Sequence, residues 1–284
     1  MSLTETLRLQ PRRPGKYLQL QRVRPGVWLA WMIILLAILA AIFPQLLTHY
    51  DPESGVPGTQ LMPPDSHHWL GTDQLGRDLY SRIIYGARWS LSAASAAVSV
   101  GLVVGSLGGM LAAFSGRTTE TLTMRLVDVL LSIPALLLSL TIIILLGAGT
   151  LHAALAVGCA SVAHFARLSR AEVLRIRQQD YIEAAFGSGG RFFAVFFRHV
   201  LPNALPNILA FSALQFGQAI LALSTLSFLG FGSPPPIPEW GLLIAEGRNY
   251  LATAWWLTVF PGVVVIGIVL ATNRISRALS GENL

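Results

Sequence analysis

Residues 181–203 read YIEAAFGSGGRFFAVFFRHVLPN, a polar, glycine-broken segment with a glutamate near its start and Leu-Pro near its end. It interrupts a chain of 284 residues that is 53% hydrophobic and only 12% charged, where a soluble domain carries about 25% Asp, Glu, Lys and Arg. That composition excludes an ordinary water-soluble enzyme and points to a protein embedded in lipid. A helix crossing a hydrocarbon core about 30 Å thick needs about 20 largely apolar residues. The segment therefore has to be placed relative to such helices.

Charge-poor runs occur at 27–48, 89–114, 126–148, 151–166, 203–231 and 251–272, which makes six candidate transmembrane helices in an all-α membrane protein. The run at 151–166 is the shortest and carries His152 and His164. A lipid-facing barrel would show two-residue alternation, which these continuous runs lack. The first run is longer than a signal-peptide core and has no small-residue cleavage site, so it reads as a retained span. The expected plan is a tail at 1–26, a first span at 27–48, and an external loop with an amphipathic segment at 49–88. A transmembrane core at 89–272 follows, with a loop at 167–202, and a tail at 273–284 ends the chain.

Orientation follows from the preference of Lys and Arg for cytoplasmic loops. With the N-terminus inside, sixteen of the twenty basic residues fall on the cytoplasmic side, and Arg77, Arg82, Arg88 and Arg248 fall outside. Both termini and the 181–203 stretch are then cytoplasmic. The basic balance belongs to this bias, and no soluble basic domain or aromatic platform for nucleic acid accompanies it.

Within the second run, Gly101, Gly105 and Gly109 recur every fourth residue on one face, so this helix is expected to pack closely against protein. Pro134, Pro206 and Pro261 mark kinks tolerated within membranes. The lone cysteine, Cys159, reads as a small core residue.

Arg125 and Asp128, at the entrance of the third run, are the charges found inside any run. Ion-driven carriers usually hold their ion on an intramembrane carboxylate or a broken helix. The chain has no G-x-x-x-x-G-K-[ST] loop, its one lysine is Lys16, and no H-E-x-x-H, G-x-S-x-G or paired-aspartate motif appears. His67 and His68 read as a surface pair with no further ligand nearby, so neither a catalytic nor a metal site is expected.

The loop itself reads as a helix over 168–185, glycine punctuation at Gly187, Gly189 and Gly190, and a short helix RFFAVFFRHV leading to Pro202 in the first turn of the next span. An amphipathic loop lying on the lipid surface gives the same periodicity. The residues then carry a resemblance. EAAFGSG, nine residues and HVLP resemble the EAA signature of permease subunits of bacterial ABC importers, with Glu183, Ala184, Ala185, Gly189, His199, Leu201 and Pro202 in register. HWLGTDQLGRDLYSRIIYGARWSL (68–91) and LSFLGFGSPPPIPEWG (226–241) resemble the second permease type of the dipeptide, oligopeptide and nickel subgroup.

The resemblance implies a type I ABC importer permease fold in the bacterial inner membrane and a coupling helix docked in a groove of a cytoplasmic ATPase. It also implies a homologous second permease, two ATPase subunits that bind the ATP, and an external binding protein. The transported solute would be a short peptide, nickel or a metal chelate. Asp73, Gly76, Arg77, Asp78, Arg82, Glu239 and Trp240 are carried as external gate or loop elements, with Asp78 and Arg82 spaced for a helical ion pair. The proline-rich backbone at Glu239-Trp240 fits either re-entry or capping of the pathway, or a rigid external turn. Departures are Phe186 where the family commonly has a basic residue, Gly190-Arg191 where Ala-Ser is frequent, and a C-terminus lacking the usual Gly-Asp and Asp-Pro elements. The rival readings are a channel or ion-coupled carrier working without an ATPase, and a membrane-embedded scaffold.

Overall fold

The computed structural model describes residues 25–280, and the readings for residues 1–24 and 281–284 fall outside them. Among the described residues the structure is helical, with one isolated bridge between Thr72 and Asp78 in place of any strand. Five helices are long and apolar enough to cross a membrane, or six if a bent pair counts as one span.

Helix α1 (Pro25–Ile42) ends earlier than its apolar run, because Pro44 drives Phe43 out of helical geometry and a short 3-10 turn, Pro44–Leu46, follows. It buries only Ala30 and Ala40 and leaves Leu35, Leu36 and Ile38 exposed, as a peripheral helix in lipid should. Helix α2 (Leu79–Phe114) begins ten residues before its apolar run. Its start is set by Asp78, whose carboxylate accepts from the Ser81 backbone N–H at 2.8 Å as an N-cap. The expected external amphipathic segment is therefore the first turns of a span.

The third run breaks in two. Helix α3 (Arg117–Ser132) and helix α4 (Ala135–Leu146) meet at 92°. Pro134 lacks an N–H and pushes Ile133 into extended backbone, so the ladder cannot cross the junction. Twelve residues of α4 span only about 18 Å at 1.5 Å each, too short to cross alone.

The fourth run is the apolar part of a much longer helix, α5 (Thr150–Arg177). Its polar end is covered by α3, through Arg170 on Glu120 and Arg167 on Asp128. Hydropathy marks where the membrane ends, and hydrogen bonding carries the helix further. The single helix expected over 168–185 is thus two pieces, the end of α5 and a separate helix α6 (Asp180–Gly187), divided at Gln178 and Gln179.

Helix α7 (Phe192–Phe228) joins the short aromatic helix to the fifth span without interruption. A wide π turn at Phe196–Val200 directly precedes Pro202, where the missing N–H would otherwise break the ladder. Short helix α8 (Trp240–Gly247) leads to α9 (Trp256–Leu279), so residues 273–279, expected as tail, continue the last span.

Helices α2, α5, α7 and α9 form the centre. Gly101, Gly105 and Gly109 all face α5, where an added Cβ would overlap Ser161 and Phe165, Val162 and Phe165, and the backbone of Ala166 respectively. The backbones therefore touch, as the four-residue spacing implies. A π turn, Gly101–Gly105, lies within this contact. Phe165 is fully buried beneath it and meets Phe211 of α7 edge to face at 5.2 Å. Cys159, in contrast to its expected core place, sits on the exposed face of α5.

Gly108 supplies an internal control, because a Cβ there meets nothing within 4 Å. Gly109→Leu should prise α2 from α5 at a cost of about 1–3 kcal/mol, whereas Gly108→Leu should leave the apparent melting temperature in detergent almost unchanged. Equal melting curves for the two variants would refute the close contact.

Candidate coupling segment and the polar knot at the far end

Helix α6 is held by one side chain. Ile182 is 1% exposed and belongs to the main apolar core with Val173, Ile176, Val195 and Val200. Ala185 and Leu174 are half-buried on the same side, while Tyr181, Glu183, Ala184 and Phe186 face outward. Eight residues cannot form a stable helix alone, so this burial and the terminal bonds must fix it.

The C-terminal end is closed by two bonds, Gly190 N–H to Ala185 C=O and Gly189 N–H to Phe186 C=O, both 3.0 Å. This is a Schellman motif, with Gly189 at φ +88° in the left-handed position. The glycine of the EAA-like stretch thus has a definite job: it stops α6 and turns the chain into α7. No atom lies within 4 Å of where its Cβ would be, so backbone conformation, not space, requires glycine.

Around this elbow lies an aromatic cluster. Phe114, the last residue of α2, meets Phe192 edge to face at 4.7 Å and Phe196 at 5.6 Å. The Arg177 guanidinium stands 4.8 Å over the Phe114 ring and donates to the Ala113 carbonyl. The ends of α2 and α5 and the start of α7 are therefore clamped together. Phe193 and Phe197 are exposed beside them. Of the remaining motif residues, His199 is half-buried, 6.4 Å from the Tyr181 ring, and its carbonyl accepts from Asn203 Nδ2 at 2.6 Å. Leu201 is half-buried and Pro202 exposed.

At the opposite end of the bundle the other candidate residues form a buried polar knot. Asp73 accepts from the Leu75 and Arg77 backbone N–H groups at 2.8 and 3.0 Å, and from Arg77 Nε and Arg82 Nη1 at 2.6 and 2.5 Å. Arg82 Nη1 also donates to Glu246 Oε2 of α8 at 2.9 Å. Asp73, Arg77 and Arg82 are each at most 2% exposed. Two arginines and two carboxylates cancel, which is what lets such charges remain buried.

The expected Asp78–Arg82 pair does not form. Asp78 instead caps α2 and takes His68 Nδ1 at 2.9 Å, so His68 is buried while its neighbour His67 stays exposed. Gly76 closes the intervening turn by donating to the Asp73 carbonyl at 3.0 Å. On the exposed side of this loop, the His68 backbone N–H foremost, with that of His67, holds the Asp65 carboxyl below the usual carboxylate range.

Glu239 and Trp240 join the same end. Glu239 accepts from Ser227 Oγ at 2.6 Å and the Ser233 N–H at 3.1 Å. Trp240, 1% exposed, donates its backbone N–H to Ser90 Oγ at 3.1 Å and its indole N–H to the Ile83 carbonyl at 2.9 Å. Both side chains bind protein, tying α8 to α2 and α7. Sequence reasoning missed Glu246 and the Arg177–Phe114 clamp, because neither pairing has a local signal.

A helical bundle with five to six apolar spans and a compact exposed elbow at one end is the architecture of a membrane-embedded protein. A family model described as the binding-protein-dependent transport system inner membrane component matches residues 105–281. The dipeptide transport system permease protein DppC of Alkalihalophilus pseudofirmus is 38% identical over 87% of this chain and 82% of its own length. The glutathione transport system permease protein GsiD of Pectobacterium atrosepticum is 37% identical over 88% of this chain and 83% of its own. In fold the chain resembles an inward-facing MetNI methionine ABC transporter, with TM-score 0.55, 18% identity, and coverage of 70% of this chain and 96% of that one. This chain belongs to the binding-protein-dependent inner membrane transport component family.

The knot gives a direct test. Arg82→Ala leaves Asp73 and Glu246 with too little positive charge and should cost about 3–5 kcal/mol, while Arg88→Ala, at an exposed position of the same helix, should fall within about 0.5 kcal/mol of wild type. Thermal unfolding in detergent compares the two, and matched stabilities would dissolve the knot as a structural element.

Proposed function

We propose that this chain forms half of the translocation pathway of an ATP-driven importer for short peptides or related peptide-like solutes. It pairs with a homologous permease, the assembly receives solute from an external binding protein, and of its two ATPase subunits one docks at the α6 end of this chain. The ATPases bind and hydrolyse the ATP, and this chain breaks no covalent bond and carries no cofactor or metal. The observation that carries this reading is helix α6: a short exposed helix whose Glu183 and Ala184 face outward while Ile182 and a glycine-dependent cap fix its place.

The α6 end is assigned to the cytoplasm by the charge bias. Of the four basic residues on the far side, Arg77 and Arg82 are neutralised by buried carboxylates, which leaves the bias of free cations stronger than a raw count suggests. Small alanines permit close docking, and Glu183 supplies a charge-assisted contact. Closure of the ATPases would push α6. Because it joins α5 at Gln179 and α7 through the Schellman turn, the push reaches both spans and shifts inward-open and outward-open populations.

The peptide reading rests on relatives named for dipeptide, D,D-dipeptide and glutathione transport, solutes that share the amide bond. Nickel or a metal chelate remains the lesser substrate class. An ion-coupled carrier is less well supported, since the buried carboxylates among the described residues, Asp73, Asp78 and Glu239, are already engaged by protein donors.

Glu183→Lys in the assembled transporter, reconstituted in vesicles with its binding protein and ATP, should uncouple hydrolysis from uptake. Gly189→Val should do the same, since a β-branched residue in left-handed backbone costs at least about 1–2 kcal/mol. Normal uptake together with normal ATPase stimulation in both variants would remove α6 from the coupling role.

A further inference from the structure

Halfway along the bundle, a largely apolar surface cavity carries three long polar side chains at its border. His164 of α5 and Gln215 and Gln218 of α7 border a cavity of about 110 Å3, completed by Ser139, Ser161, Val98, Val157 and alanines. The two hydroxyls already donate to their own helices, at Ala135 and Gly158. His164 and Gln218 are exposed and Gln215 half-buried, and among the described residues none of the three has a hydrogen-bond partner.

Their depth makes this informative. At 1.5 Å per residue, His164 lies about 20 Å from either end of α5, and Gln215 and Gln218 about 15–20 Å from the far end of α7. A hydrocarbon core is about 30 Å thick, so the two glutamines belong near its middle, while His164 lies two residues before Ala166, close to the polar border of the apolar part of α5. Elsewhere at such depth the outward side chains of α4 and α9 include Leu137, Ile144, Leu145, Val263, Ile266 and Leu270, and the polar ones on α2 and α4 are short hydroxyls such as Ser95 and Thr141, which bond back to their own helix. Carboxamides turned into acyl chains would stay unsatisfied at a cost the rest of the surface avoids.

We infer that this strip is the wall of the solute path, and that it recognises amide groups. The inference rests on the importer reading above. Each glutamine offers a donor pair and an acceptor, the complement of a peptide bond. None of the glutamine or serine groups carries a fixed charge, so the wall binds backbone while remaining indifferent to the sign of the solute's side chains. Hydrogen bonds of this kind are strong enough to replace hydration and weak enough to release the solute again. The alanines Ala97, Ala160, Ala219 and Ala222 leave the room that a passing chain needs.

Two measurements on the assembled transporter test this. In a Cys159→Ala background, Gln218→Cys should react with a charged, water-soluble methanethiosulfonate reagent in at least one nucleotide state, whereas Val263→Cys on the lipid face should not. Absence of reaction in both the nucleotide-free and the ATP-bound states would overturn the inference, because the position would then be sealed in lipid or in a subunit seam. In the second, Gln215→Leu combined with Gln218→Leu should lower the number of peptides imported per ATP hydrolysed by about tenfold, read by mass spectrometry on a dipeptide library. An unchanged ratio, or loss of the second permease from the complex, would assign the strip to something other than solute. Wild-type vesicles that import nothing would sink the importer reading, whereas active wild type with an unreactive Gln218→Cys would sink only the wall.

Discussion

The backbone contact between α2 and α5 is the constraint on which the remaining architecture depends. Three glycines at four-residue spacing bring the two helices together, Gly105 and Gly109 against the α5 backbone at Val162 and Ala166 and Gly101 against the Ser161 and Phe165 side chains. Dispersion and backbone packing must supply cohesion inside a membrane, where burying apolar surface against protein gains little over burying it in lipid. Two helices joined this way move as one body. Since α5 continues to Arg177 and ends next to α6, the contact also determines what is displaced when α6 is pushed.

The clamp at that end shows how displacement is shared. Arg177 from α5 sits on the Phe114 ring of α2, and Phe114 in turn packs on Phe192 and Phe196 of α7. Three helix ends meet at a single aromatic side chain, so α6 cannot move one without loading the others. The bent α3–α4 pair braces the same region from outside through Glu120 and Asp128.

Much of this was legible in the chain itself, for identifiable reasons. The glycine face of α2 and the EAA-like elbow were readable because close approach and left-handed backbone each demand a particular residue type at a particular place. Helix ends were not: the apolar run stopping near Ala166 reported the edge of the membrane, while the α5 hydrogen-bond ladder ran on to Arg177. Pro134 was visible as a break, but the 92° turn beyond it depends on what α4 packs against. Asp78 and Arg82 had ideal helical spacing yet chose other partners, because Asp78 was needed as a cap and Arg82 was buried against residues distant in sequence. Local pattern cannot rank a neighbour against a carboxylate that tertiary structure brings from another helix.

That distance has a bearing on biosynthesis. Arg82 and Glu246 are separated by 164 positions, and chains are made from the N-terminus at about 5–20 residues per second. The early loop therefore waits for about 8–30 seconds with Asp73 as its principal counter-ion, and its charge balance is completed only when α8 emerges. The far end of the bundle is sealed by one of the last segments synthesised, so a chain truncated before that segment would carry an unbalanced cation buried at that end and mark itself as unfinished.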